Sequence, residues 1–301
     1  MKELIDLLKE ASIDYRENEP LNRHCSFKIG GPGKLLLLPK NIEEIQILVR
    51  ALEGTSFLVL GNGSNVLFRD GGYDGVIMKL AQNFSSYRIE EDRISASSGV
   101  SLSVISRKAA LEGLSGLEFA SGIPGTLGGG VIMNAGAYDG ELKDVVTGVT
   151  LMDKKGNIFK MSGEEMDFSY RDSLAQRMNY IVLEVELQLQ KSDYDKIWQK
   201  IDDFSIRRWS KQPLEFPSGG STFKRPQGYY AGKLIQDAGL KGLRFRGAQV
   251  SPKHSGFIIN VDNASCEDVR TLIRLVQKRV KDEYGIELEA ELRLINDEIK
   301  G

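Results

Sequence analysis

Apolar residues recur at helical spacing in the first ten positions, where Leu4, Ile5, Leu7 and Leu8 sit among charged neighbours, and they predict a short amphipathic helix over residues 1–10. A second helix follows Asn41, a good capping residue, with Ile42, Ile45, Leu48, Val49 and Leu52 on one face and Gly54 at its end. The period then shortens. Phe57 to Leu60 reads as a buried strand running into Gly61, and Val76 to Leu80 and Ile94 to Ser98 read as further strands. Ser101 is placed to cap a helix carrying Leu102, Ile105 and Ala109, closed by Gly113. Val145 to Met152 and Asn157 to Met161 flank a Lys-Lys-Gly-Asn turn and predict a hairpin. Ser162-Gly163-Glu164-Glu165 has the form of a capping box. Tyr180 to Gln190 alternates Ile181, Leu183, Val185, Leu187 and Leu189 with polar neighbours, the strongest strand signal in the chain.

A new helical stretch opens at Asp193 and carries Ile197, Ile201 and Phe204, which places a domain boundary near Lys191. Beyond it the pattern predicts a loop (212–227), a helix (229–238), a strand (256–261), a helix (265–284) and a strand (286–295). Helices and strands intermix without strict βαβ alternation, so the fold class is α+β.

Composition narrows the functions. Hydrophobic residues make up 41% and charged residues 27% of 301, an ordinary globular balance. A net charge of −2 leaves no footprint for a phosphate backbone, so a nucleic-acid partner is not expected. Binding of any anionic ligand must rest on local Lys, Arg and backbone N–H groups. Apolar stretches such as Leu35 to Leu38 are too short to span a bilayer, and the first residues lack a signal-peptide core, so no membrane association and a cytoplasmic location are expected. Two cysteines and two histidines imply neither a disulfide framework nor a metal centre.

The 32 glycines are the unusual count, and many gather in two segments. Gly61-Asn62-Gly63-Ser64-Asn65 follows a strand but leads into Val66-Leu67-Phe68, with no helix and no third glycine, so it is not a Rossmann fingerprint. The second, Ser121-Gly122-Ile123-Pro124-Gly125-Thr126-Leu127-Gly128-Gly129-Gly130, is followed by Asn134-Ala135-Gly136-Ala137-Tyr138 and reads as a loop anchored by Ile123, Leu127 and Ile132. Either alone is compatible with a tight turn. Together they point to a large anionic cofactor cradled by backbone N–H groups.

These segments, with Tyr170-Arg171-Asp172-Ser173, Gly220-Ser221-Thr222-Phe223-Lys224-Arg225-Pro226, Lys233 to Gly242, Lys253 to Asn260 and Leu288 to Arg293, resemble the UDP-N-acetylenolpyruvoylglucosamine reductase family in order and over nearly the whole chain. The resemblance implies a vanillyl-alcohol-oxidase-type FAD-binding domain followed by a smaller α+β substrate-binding domain. It implies residues 1–21 as an N-terminal helix and lead-in, 22–191 as an FAD-binding domain of two subdomains, and 192–301 as the substrate domain. It also implies NADPH as co-substrate, a UDP-sugar substrate in peptidoglycan precursor synthesis, no obligate protein partner, and similarity to the shorter, type II subclass. Ala290 stands where the family often has Pro, and Arg225 where many members carry Asn.

By the same resemblance, FAD would meet Gly61, Asn62, Gly63, Ser64, Asn65, Ser121, Gly122, Ile123, Pro124, Gly125, Thr126, Gly128, Gly129, Asn134, Ala135, Gly136 and Ala137. Tyr170, Lys224, Arg225 and Lys253 would meet substrate or cofactor phosphates, and no metal is implied. Arg171 would supply a fixed positive charge for an enolate-like intermediate, Glu291 a second stabiliser, and Ser221 the proton. Pattern alone reads otherwise: Arg171 as a partner for Asp172 or a helix cap, Ser221 as a turn residue, and Glu291 as one of the solvated residues Glu287, Glu289 and Arg293 on a two-faced strand. His254 reads as a structural hydrogen-bonder. Two other functions remain open on the residues: another FAD oxidase of this fold acting on an alcohol or lactone, and a nucleotide-sugar binding module without turnover.

Overall fold

A computed structural model describes residues 2–295; Met1, the first position of the expected N-terminal helix, and residues 296–301 lie outside it. The chain forms two compact lobes, the first from residues up to 16, 35–62 and 75–207, the second from 17–34, 63–74 and 208 onward.

In the first lobe, helices α1 (Lys2–Glu10) and α2 (Ile42–Ala51) bury Leu8, Ile45, Leu48 and Val49 against Leu35, Leu37, Val76, Met78 and Leu183. Asn41 caps α2, its Oδ1 accepting the Glu44 N–H at 2.8 Å. A four-stranded sheet has the order Tyr15–Pro20, Pro32–Leu37, Tyr73–Lys79, Phe57–Leu60, the last two strands parallel. Phe57–Leu60 is not the buried strand expected. It is an edge strand, and Val59 is 37% exposed.

A five-stranded antiparallel sheet follows, in the order Ile158–Ser162, Val146–Met152, Ile181–Gln188, Arg93–Ser97, Tyr87–Glu90. Ile181–Gln188 is central, and Ile181, Leu183, Val185 and Leu187 are all buried, each contributing about 1.5–3 kcal/mol on transfer from water. The hairpin closes as expected, with the Asp153 carboxylate accepting the N–H groups of Lys155 and Asn157. Ser162 and Glu165 make the reciprocal bonds of a capping box, yet only one turn forms, because Asp167 takes a left-handed φ of 43°. Ser101 precedes helix α3 (Leu102–Leu111) without a side-chain cap; its hydroxyl lies 3.0 Å from that of Ser103.

The second glycine segment is only partly a loop. Leu127–Ile132 forms a short helix, α4, in which Gly128 and Gly130 permit contacts a side chain would block: a Cβ on Gly128 would lie 2.5 Å from Ser98 Cβ, and one on Gly130 2.8 Å from Leu142 Cδ1. Helix α5 (Leu174–Met178) is short, and α6 (Tyr194–Lys211) starts after Asp193, whose carboxylate accepts the Lys196 N–H.

The second lobe carries an antiparallel sheet in the order Ser218–Ser221, Phe257–Asn260, Ala248–Val250, Arg244–Phe245. The first of these strands lies inside the segment expected as a loop, and its Ser-Gly-Gly-Ser sequence carries no apolar alternation to announce it. Helix α7 spans Ala231–Asp237, and α8 (Cys266–Tyr284) packs Val269, Leu272, Ile273, Val276 and Val280 inward. A Ser265–Asp268 capping box opens α8 and Gly285, at φ 69°, closes it. Asp70 adds a second cap by accepting the Cys266 N–H at 2.8 Å.

The continuous strand expected over 286–295 is not formed. Ala290 bridges to Phe223 whereas Arg293–Leu294 pairs in parallel with Val66–Leu67, so the segment changes partner midway and only its end is a regular strand. The alternation it was read from partly holds, with Leu288 and Leu292 buried, Glu287 and Glu289 exposed, and Glu291 half-buried.

Candidate active site

In the first lobe the two glycine segments lie against each other. Asn62 Nδ2 donates to Pro124 O at 3.0 Å, and a Cβ on Gly61 would sit 2.3 Å from Thr126 Oγ1. The opening N–H groups of α4 are already committed: Leu127 to Val100 O, Gly128 to Ser98 O, Gly129 to Thr126 Oγ1 and Gly130 to Thr126 O. Helix α4 is therefore a buttress; in the loop ahead of it Gly122 is exposed and could offer its N–H, while Pro124 has none to give. The Ser98 hydroxyl, buried beside Gly128, has no hydrogen-bond partner among the described residues. Two glycine-rich segments lying against each other, with a spare buried hydroxyl beside them, fit an elongated dinucleotide such as FAD.

Asn134 to Ala137 lead into a second feature. Gly136–Ala137 pairs with Gly140–Glu141, and Tyr138 and Asp139 both take positive φ (52° and 64°), the conformation of a tight hairpin turn. Tyr138 stacks on Phe204 at 4.5 Å and donates its hydroxyl to Phe204 O. Arg171 sits at the corner of another two-residue turn, in which Ser169 and Asp172 exchange backbone bonds of 3.1 and 3.3 Å. Its φ of 57° is left-handed, a conformation costing a non-glycine residue about 1–3 kcal/mol and kept only where the surroundings enforce it. Arg171 Nη2 reaches Gly136 O at 3.4 Å, and the guanidinium lies 5.1 Å from the ring of Tyr170, itself exposed.

The Asp172 carboxylate is held by Arg177 and Gln176. Burial disfavours its charge, but these two partners outweigh burial and keep its carboxyl below the usual range. Glu141 behaves alike: burial works against ionisation, while Lys143, Asn134 and the more distant Arg171 charge lower it on balance.

The second lobe holds the other named residues. Ser221 ends its strand opposite Phe257, exposed and preceded by Gly220 at φ 81°. The Thr222 N–H donates to Gly256 O (2.8 Å), its buried hydroxyl accepts the Ile258 N–H (3.0 Å), and its carbonyl accepts the Glu291 N–H (2.9 Å). Glu291 is gripped from its other side too, since Asn65 Nδ2 donates to Glu291 O at 3.1 Å and Asn65 O accepts the Arg293 N–H at 3.1 Å. Three motifs distant in sequence thus converge, and Glu291 is set by backbone bonds one residue away from Ser221. Gly63, too, approaches backbone closely: a Cβ there would lie 2.2 Å from His24 O. Ser64 O lies 3.4 Å from the Ser26 hydroxyl, which also donates to Ser218 O at 2.6 Å.

Of the expected phosphate contacts, Lys224 pairs with Glu289, Arg225 lies 4.0 Å from the Tyr230 ring, and Lys253 sits between Glu215 (3.7 Å) and the Trp209 ring (5.5 Å). His254 accepts the Gly256 N–H at Nδ1, and burial lowers its pKa, in keeping with a structural role. Sequence reasoning missed the bond from Asn65 to Glu291 and the hub made by Asn134. It also missed Glu118, a buried carboxylate accepting from Ser115 and the Gly116 N–H. The available signal was a polar residue close to a glycine-rich segment: Asn65 two residues after Gly63 and Asn134 two residues before Gly136.

Residues 33–162 match the FAD binding domain family. Together with the fold, this defines a flavoprotein oxidoreductase. Residues 212–295 match the family described as UDP-N-acetylenolpyruvoylglucosamine reductase, C-terminal domain. A UDP-N-acetylenolpyruvoylglucosamine reductase of Clostridioides difficile is 48% identical over 297 residues, covering 98% of this chain and 97% of that protein. One of Caldanaerobacter subterraneus is 48% identical over 296 residues, with 98% and 97% covered. The crystal structure of the reductase of this name from Thermus caldophilus superposes with a TM-score of 0.81 at 33% identity, covering 94% of this chain and 98% of that one. The chain belongs to the UDP-N-acetylenolpyruvoylglucosamine reductase family, FAD-dependent oxidoreductases with a vanillyl-alcohol-oxidase-type FAD domain followed by a smaller α+β domain. No helix among the described residues is long and apolar enough to cross a membrane.

Proposed function

We propose that the chain reduces the enolpyruvyl group of UDP-N-acetylenolpyruvoylglucosamine to give UDP-N-acetylmuramate, with NADPH as electron source, in the cytoplasm. Gly61, Asn62, the loop from Ser121 to Thr126 and the Ser98 hydroxyl would hold FAD, which when bound supplies hydride chemistry the side chains lack. The chain itself handles charge and the proton. Arg171 is a permanent cation whose fork matches a carboxylate, so it would hold the enolpyruvyl carboxylate and stabilise charge developing on the carbon beside it. Ser221 Oγ would deliver a proton to that carbon. Glu291 would support the same negative charge, which requires it to act as a protonated donor. Lys224, Arg225, Lys253 and Tyr170 are the proposed contacts to phosphates and sugar.

One observation carries the reading: the Glu291 N–H bond to Thr222 O, which sets a carboxyl group and the Ser221 hydroxyl on neighbouring backbone. The test is NADPH oxidation by the yellow holoprotein with and without UDP-N-acetylenolpyruvoylglucosamine. Oxidation dependent on the sugar nucleotide, and release of FAD on denaturation, are expected. Oxygen consumption on alcohols with no response to the sugar nucleotide would overturn the reading.

A further inference from the structure

We propose that Asn134 is a positioning residue for Arg171, and that its side chain serves this purpose in place of contacting FAD. The proposal rests on the reading of Arg171 as the partner of the substrate carboxylate.

Asn134 is 1% exposed and lies just past α4 at φ 40°, left-handed backbone that asparagine tolerates better than most residues. Its Nδ2 donates to Glu141 Oε2 and to Ser169 O, each at 3.0 Å, and its Oδ1 accepts the Lys143 N–H at 3.1 Å. A carboxamide has two hydrogens to give, and both are spent inside the protein. No donor is left for a ligand.

Both acceptors belong to the surroundings of Arg171. Ser169 O sits on the residue that opens the Tyr170–Arg171 turn, and Ser169 closes that turn by exchanging bonds with Asp172. Glu141 lies on the far strand of the hairpin whose near strand offers Gly136 O to Arg171 Nη2. The Asn134 amide therefore ties the turn carrying the guanidinium to the hairpin the guanidinium reaches. Beyond the turn, Ser173, fully buried, donates to Ile132 O at 3.0 Å and fastens its exit to the end of α4. The turn is held at both ends from a stretch of three residues, 132–134, and Asn134 supplies the entry end. Aspartate would keep the backbone and the Lys143 bond but lose both donors. Glycine would keep the backbone and lose every side-chain bond.

The variants Asn134→Asp and Asn134→Gly, neither of which strains the backbone, are compared as holoproteins with Arg171→Ala and with the double variant Asn134→Gly/Arg171→Ala. FAD content per chain, the anaerobic rate of flavin bleaching by NADPH, the recovery of flavin absorbance on adding UDP-N-acetylenolpyruvoylglucosamine, and that substrate's Kd for the oxidised protein are measured separately. Both single variants should retain FAD and bleach at rates within about threefold of wild type. Recovery should slow by about 10-fold or more, the scale expected when a reacting group is slightly misplaced. In the double variant the Asn134 change should add nearly nothing to the loss from Arg171→Ala, since its effect passes through that side chain. Loss of FAD in parallel with activity in both single variants, or a fully additive double variant, would overturn the proposal. Wild-type recovery in Arg171→Ala would instead remove the reading on which it rests.

Discussion

Arg171 in the first lobe stands on a turn tied down by side chains, whereas in the second lobe a main-chain bond joins the backbone of Glu291 to that of Thr222, next to Ser221. Around Arg171 the ties are Asn134, Glu141, Asp172, Gln176, Arg177 and Ser173, and the backbone they constrain is left-handed at a residue that does not favour it. The main chain of Glu291 is held by Thr222 O and by the Asn65 amide. A geometry held by side chains can be changed one residue at a time and depends on their charge. One held by backbone resists substitution and pH. The turn of Arg171 should therefore be the adjustable element of the first lobe, and the backbone pairing of Thr222 with Glu291 the fixed element of the second.

The largest effect expected from testing this contrast comes from Arg171 itself. Arg171→Lys keeps the charge but loses the planar fork, and should lower turnover with the sugar nucleotide by about 2–4 kcal/mol of transition-state stabilisation, read as kcat/KM at constant FAD content. Unchanged turnover would mean that another cation does the work. A smaller effect is expected at the fixed element. Asn65→Ala removes the one side-chain bond to Glu291 O and should cost about 1–2 kcal/mol, roughly a 10-fold loss in turnover, with Thr222 still holding the strand. A loss as large as that in Arg171→Lys would show that the second lobe is no more robust than the first.

The smallest effect concerns acid. Glu141 and Asp172 both have carboxyls held below their ordinary range, so their contribution to the folded state is complete above about pH 4, the unfolded carboxylate value, and is lost as pH falls through the lowered folded values. Urea midpoints measured from pH 6 down to 3 should fall in the wild type, and less steeply in Asp172→Asn. Parallel curves would mean that the charge of Asp172 does not help to hold the turn.

The same contrast explains what could be read from the sequence. Alternation exposed Ile181–Gln188 because each buried residue of a central strand reports its own face, and capping chemistry exposed α2 and α8 because Asn41 and Ser265 act within three residues of themselves. The strand Ser218–Ser221 and the broken pairing of 286–295 were not legible. Ser-Gly-Gly-Ser has no faces, and a segment that changes partners at Ala290 and Arg293 keeps its alternation while losing its ladder. The named site residues came from matching motifs. Periodicity put Glu291 with the solvated glutamates, since nothing local records that Asn65 and Thr222 grip its backbone. The resemblance places Asn134 with FAD, while the bonds that spend its amide run to Glu141 and to a turn 35 residues away.

The central proposal is that Ser221 supplies the proton. Anaerobic stopped-flow on Ser221→Ala, following the flavin band through each half-reaction, tests it most directly. Bleaching by NADPH needs no proton from this hydroxyl and should proceed at close to the wild-type rate. Recovery on mixing with UDP-N-acetylenolpyruvoylglucosamine should slow by about 10²-fold or more, the scale of a positioned general acid, and Ser221→Cys should regain part of it. Equal slowing of both halves would contradict the account and leave Ser221 a residue that shapes the site.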